Sequence, residues 1–267
     1  MDLVISFKPG NKGQDYNMLR LAFIQYVKFA KFLTGDFYII GDYTEKQLEE
    51  VTEQIDKISN RIGRKITVLN TKLHTNKDIK LDKFQIIYYQ VTAAGRYLQD
   101  KKGSVNFLHA HTDVLPIKPL SLDDLNKEYK IKDKDWEKHL NDSFSNKWFS
   151  RLQAMSIKHY TEKYGKRDTA LMEHHYFYAI DDKILEELVK PENYLNFNYP
   201  DVITNYHIFV RNIPLHSCMK RDLITTTFIA NQWVYKVSEN TKAVNVTVPN
   251  HTKSKKLLKL IEKNKIK

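Results

Sequence analysis

The chain has 267 residues, 42% of them apolar, with 16 Tyr and 13 Phe, which suits a folded chain with a substantial core and excludes a disordered one. A single cysteine, Cys218, excludes an internal disulfide and every multi-cysteine zinc module, and no run of about 18 apolar residues is present to span a bilayer. The formal charge of +11 points to a polyanionic partner (nucleic acid, an anionic membrane surface or nucleotide phosphates), although a Lys-, Asn-, Ile- and Tyr-rich composition also follows from an AT-rich genome.

The opening "MDLVISFKPGNKG" lacks the basic, apolar and small-residue segments of a secretory leader, so a cytoplasmic protein is expected. Within it "DLVISF" reads as a buried strand, followed by the polar loop "KPGNKGQD". "YNMLRLAFIQYVKFAKFL" predicts a mostly buried helix stopped at Gly35, and "DFYIIGD" a second strand. In "YTEKQLEEVTEQIDKISNRIG" Thr44 is placed to cap a helix with Gln47 three residues on. Leu48, Val51, Ile55, Ile58 and Ile62 form its apolar stripe, and Gly63 ends it. "KITVLN", "LDKFQIIYYQVTAAGRYLQD" and "SVNFLHA" then predict a third strand, a third helix and a fourth strand.

Alternation of this kind, with buried strands, predicts an α/β fold with a mostly parallel central sheet flanked by helices. Ligands of such sheets bind beyond the carboxyl ends of the strands, which here fall at Phe7 to Asp15, Gly41 to Tyr43, Asn70 to His74 and His109 to Asp113. Past residue 120 the pattern is less regular. "SLDDLNKEY" suggests a short capped helix, and residues 135–165 one or two helices with aromatic anchors. "DDKILEELVKPENY" suggests another helix, while "VITNYHIFVRNIPLH" and "QWVYKVSENTKAVNVTV" look strand-like. No repeat or Gly/Ser-rich linker divides the chain. The expectation is one domain over residues 1–250, with halves at 1–120 and 121–250, and a lysine-rich tail or helix over 251–267. That tail is either a solvated terminal helix, a phosphate-contacting arm or a membrane-surface helix.

The stretch "VNFLHAHTDVLPIKP" carries the most suggestive chemistry. His109, His111 and Asp113 alternate along a strand and so share a side, where imidazole and carboxylate suit zinc, manganese or iron. One reading is a His-x-His hydrolase. It meets the difficulty that this motif usually opens a barrel, whereas here three strand–helix steps precede it. A structural histidine pair is a second reading.

The third rests on the order of elements. "DLVISF", a loop and helix, "DFYIIGD", and then "NFLHAHTDVLPIKP" with "EHHYFYAIDDKILEEL" further on resemble glycosyltransferases of the GT-A fold. More narrowly they are similar to phage and bacterial transferases related to the capsule-type, Stealth-like sugar-phosphate transferases. The resemblance spans residues 2–120, with further anchors at 173–190, and His111 departs from it by standing where the first acid of an Asp-x-Asp motif belongs. It implies a Rossmann-type nucleotide-sugar domain and a nucleotide-sugar donor, UDP-sugar above all. It also implies a divalent cation, Mn2+ or Mg2+, held by Asp113 with His111 and a later histidine, His216 or His207.

The chemistry needs that ion because a sugar nucleotide leaves as a diphosphate, whose growing negative charge a cation offsets by several kcal/mol, about 3 or more. Ser6, Lys8 and the glycine-bearing loop after them are the implied nucleotide contacts, and Asp42 reaches ribose or base. An ordinary solvated loop and a surface turn acid are the alternatives there, and no Walker signature is present.

Glu173, His174 and His175 are candidates for the acceptor-side base or a sugar contact, and equally read as exposed polar residues before an aromatic strand. Arg211, Lys220 and Arg221 are diphosphate or acceptor-phosphate candidates; Cys218 lacks an orienting third group for nucleophilic work. The expected acceptor is polyanionic, hydroxymethylated bases of phage DNA in the first instance. A cell-surface glycan precursor, a metal-dependent hydrolase and a non-catalytic nucleic-acid-binding protein are the competing readings.

Overall fold

A computed structural model describes residues 1–10, 16–73, 81–112, 114–125, 130–142, 148–173, 177–213, 224–228 and 242–247. In chain order the elements are β1 (Asp2–Ser6), α1 (Tyr16–Phe29), β2 (Phe37–Gly41), α2 (Glu45–Ile62), β3 (Ile66–Asn70), α3 (Lys83–Lys102), β4 (Asn106–His111) and β5 (Val114–Pro116). There follow α4 (Leu122–Leu125), β6 (Lys130–Asp133), a 3-10 turn (Trp136–Asn141), α5 (Trp148–Tyr164), β7 (Leu171–Glu173), β8 (Phe177–Asp181) and α6 (Asp182–Leu188). The last are α7 (Tyr199–Asn205), a π-helical turn (Tyr206–Val210), β9 (Ile224–Phe228) and β10 (Ala243–Thr247).

The chain divides into two compact units. One holds residues 1–79, 107–124 and 222–267, the other 80–106 and 125–221. The first is an α/β unit whose strands run in the order β3-β2-β1-β4, all parallel. Every residue of β1 and of β2 is buried, the pattern of strands covered on both faces. Leu3, Ile5, Phe23, Phe37, Ile39, Val51, Ile55, Phe107 and Leu108 make its core. Phe23 stacks on Phe37, and Arg64 lies over the same ring while donating to the carbonyls of Leu33, Thr34 and Gly35. The β5-β10-β9 sheet of the same unit joins the strand after residue 113 to a strand near the end of the chain, β5 antiparallel and β9 parallel to β10.

The capping chemistry expected of the second helix is present. Thr44 and Gln47 form a reciprocal capping box, and Gly63 closes α2 at φ +67°. Gly35, expected to stop the first helix, lies beyond its end: α1 finishes at Phe29. Gly35 instead lets the chain pass close to the amino end of β1, where a Cβ would fall 2.0 Å from Asp2 Oδ1.

In the second unit the antiparallel pair β6–β7, α5 and the π-helical turn bury Ile157, Tyr160, Leu171, Met172, Ile208 and Phe209 together. α3 meets α6 at Gly95, where a Cβ would come within 2.6 Å of the Leu185 side chain. "VITNYHIFV", strand-like in sequence, is helical. Asn198 precedes a first turn containing Pro200, and burial around the whole of α7 and the following turn hides any helical stripe. "QWVYKVSENT" lies outside the described residues, whereas Lys242 and the "AVNVT" of β10 that follow it are described.

Candidate functional site

The strand order β3-β2-β1-β4 places a topological switch between β1 and β4, because the chain moves outward from β1 to β3 and then returns to the other side of β1. The crevice beyond the carboxyl ends of those two strands is where open α/β sheets bind ligands. Ser6 and His111 are register partners there. The parallel register also puts Val4 beside His109, so Ser6, His109 and His111 share one face of the sheet.

His109 is wholly buried, and its Nε2 lies 3.0 Å from Ser6 Oγ. Burial, with His111 as a lesser contributor, holds this imidazole uncharged far below the usual histidine range. The two rings meet edge to face at 5.3 Å. His109 therefore anchors Ser6 from inside the sheet, and His111, half-buried at the strand's end, is the ring placed toward the crevice side of the pair. Burial disfavours the imidazolium that taking a proton from Ser6 would create, so the Ser6–His109 contact is read as an orienting one and not as a nucleophile with its activator.

The adjacent turn after β2 is held from two sides. Asn70 Oδ1 accepts from the backbone N–H of Tyr43 and of Lys72, and its Nδ2 donates to the Tyr43 carbonyl. The N–H and Oγ1 of Thr71 both donate to the Gly41 carbonyl. Tyr43 is buried and donates through its hydroxyl to the carbonyl of Phe7, just past β1. Asp42 thus sits on a turn fixed by β1 and β3, partly exposed at the carboxyl edge. Lys8 is exposed on the loop after β1.

Ser6, Lys8, Asp42 and His111 accordingly fall in the first unit. Glu173, in the backbone of β7, and Arg211 belong to the second. Arg211 follows the π-helical turn, donates to the carboxylate of Asp181 and lies over the Tyr206 ring. Asp181 in turn caps α6 through Ile184 N–H, so this guanidinium has a structural commitment before any phosphate. His207 is buried, and burial, then Arg211, pushes it down to about 4.

Asp113, His174, His175, His216, Cys218, Lys220, Arg221 and the tail 251–267 lie outside the described residues. Among the described residues no three His, Cys, Asp or Glu side chains are grouped to hold a metal ion. Of the donors assigned to the cation by sequence, His111 and His207 are within the described residues; His207 is buried in the second unit, and His111, an imidazole at a strand end, suits manganese or magnesium less uniformly than a carboxylate would.

Sequence reasoning passed over Asn70, whose side chain fastens two strand ends; its signal is an Asn closing a strand opposite a Gly-Asp turn. It also passed over Asp124, a buried carboxylate bonded to Ser121 and Lys242. Its partner lies in a remote part of the chain, which no local pattern reveals. No helix among the described residues is long and apolar enough to cross a membrane. The chain matches no model of a known protein family, and no curated protein matches it.

Proposed function

We propose that the chain is a glycosyltransferase that takes a sugar from a nucleotide sugar, UDP-sugar in the first instance, and passes it to a polyanionic acceptor. The observation supporting this reading is the parallel order β3-β2-β1-β4, with Ser6 and His111 paired at its switch point and Asp42 on the neighbouring fixed turn. Nucleotides are bound at such points by hydroxyl and backbone groups on phosphate and by an acid on ribose. In this reading Ser6, oriented by His109, contacts phosphate, Lys8 adds positive charge, and Asp42 receives the ribose hydroxyls.

Asp113 and His111 would hold a divalent cation, which neutralises charge on the departing diphosphate. The acceptor of choice is DNA bearing hydroxymethylated bases, because a charge of +11 favours a polyphosphate backbone. Such a base must leave the stack to reach the site.

The test is a panel of sugar nucleotides incubated with Mn2+ or Mg2+ and hydroxymethylcytosine DNA, reading nucleoside diphosphate release and the mass of the modified base. Stoichiometric release and a hexose-sized mass gain are expected. No diphosphate release with any donor, in the presence of either this DNA or a glycan-precursor acceptor, would remove the transferase reading.

A further inference from the structure

The strand that follows Asp113 is secured by residues from the far end of the chain. β5 pairs antiparallel with β10, Val114 opposite Asn245 and Pro116 opposite Ala243. The Lys242 carbonyl accepts from Ile117 N–H at 2.8 Å and from Lys118 N–H at 3.2 Å. Lys242 Nζ lies 2.6 Å from Asp124 Oδ2, and the Asp124 side chain is 4% exposed. The same carboxylate oxygen accepts from the N–H and Oγ of Ser121, which starts the α4 turn. Leu120 N–H donates to the Phe29 carbonyl, so the segment is also moored to the end of α1. Asp124 and Lys242 are 118 residues apart in sequence, so this ion pair does not arise from local folding of the motif.

We infer that Lys242 and Asp124 form a latch that seats β10 on the Val114–Asp124 segment and thereby restrains the chain that leads on from His111 at the end of β4. Asp124 and Lys242 are positioning residues: they act on the site through the backbone of β5. The coupling to ligand rests on the transferase reading, whereas the latch itself does not. Removing the ammonium strands a buried carboxylate and leaves the segment to the backbone bonds of β5–β10 and of Leu120 to Phe29. The strand on the other side of the motif, β4, is held independently by its register with β1.

The test pairs Lys242→Met with the conservative Lys242→Arg in the full-length protein. Amide hydrogen exchange over residues 112–120 is expected to quicken severalfold in Lys242→Met, with β1 and β2 unchanged, and to return toward normal in Lys242→Arg. UDP-sugar affinity measured with Mn2+, at a temperature where both variants remain folded, should weaken severalfold in Lys242→Met and recover with Arg. Unchanged exchange at residues 112–120 in Lys242→Met overturns the latch. Faster exchange with unchanged UDP-sugar affinity overturns its coupling to the site. An unsubstituted protein that binds no sugar nucleotide defeats the transferase reading, and the exchange result then decides the latch alone.

Discussion

His109 is the side chain through which burial and chemistry meet most directly. It stands in the interior of a parallel sheet, uncharged, with Ser6 as hydrogen-bond partner. His207, in the other unit, is also buried and pushed down to about 4. Both are depressed relative to an unfolded histidine near about 6.5, so below that pH the unfolded chain binds protons that the folded chain refuses. Stability is therefore present above pH ~6.5 and lost as the pH falls; His207 alone accounts for about 3 kcal/mol by pH ~4. Urea denaturation from about pH 7 to about pH 4.5 should give steadily falling midpoints, with a shallower slope in His207→Phe; identical slopes in the two proteins would contradict this. At this scale the sequence made the His-x-His spacing plain. It could not separate the roles of the two rings, because alternation assigns a face and says nothing of depth along the strand or of a partner on β1.

Helices and strands were legible where local chemistry sets them. Thr44 with Gln47, Gly63, and the apolar runs of β1, β2 and β4 announce their elements. The helix over α7 and its π-helical continuation was not legible, because a buried run of Val, Ile, Tyr and Phe has no polar face and its β-branched content imitates a strand. Gly41 illustrates a constraint visible only in three dimensions: a Cβ there would sit 2.3 Å from the Tyr43 ring and 2.4 Å from the Phe7 carbonyl. Gly41→Ala should cost about 3 kcal/mol and loosen the Asp42 turn, since one contact is backbone. Tyr43→Phe, which loses only the hydroxyl bond to Phe7, should cost about 1 kcal/mol. Chemical denaturation of the two variants distinguishes them; equal losses would mean that Gly41 is not packed as described.

For the whole molecule, the charge of +11 is the widest-reaching property, and it bears on the proposed polyanionic acceptor more than on the fold. If Lys and Arg neutralise a phosphate backbone, duplex DNA affinity must fall steeply and linearly on a logarithmic salt scale. Fluorescence anisotropy with a labelled duplex should show this slope, and an affinity unchanged between low and high salt would remove DNA as acceptor. The parallel α/β organisation and the ends of its strands were readable from sequence, since alternating periods and glycines report them. The fastening of the motif segment by Lys242 was not, because it depends on residues that meet only after the chain has folded.

The most direct test of the central claim, a nucleotide-sugar site at the β1–β4 switch point, is calorimetric titration of UDP-sugars with Mn2+ into the unsubstituted protein, Ser6→Ala and Asp113→Asn. The expected result is metal-dependent binding of one donor, weakened in Ser6→Ala and reduced about tenfold or more, some 1.4 kcal/mol, in Asp113→Asn. Binding of equal strength in all three proteins, or no binding of any sugar nucleotide, would contradict it.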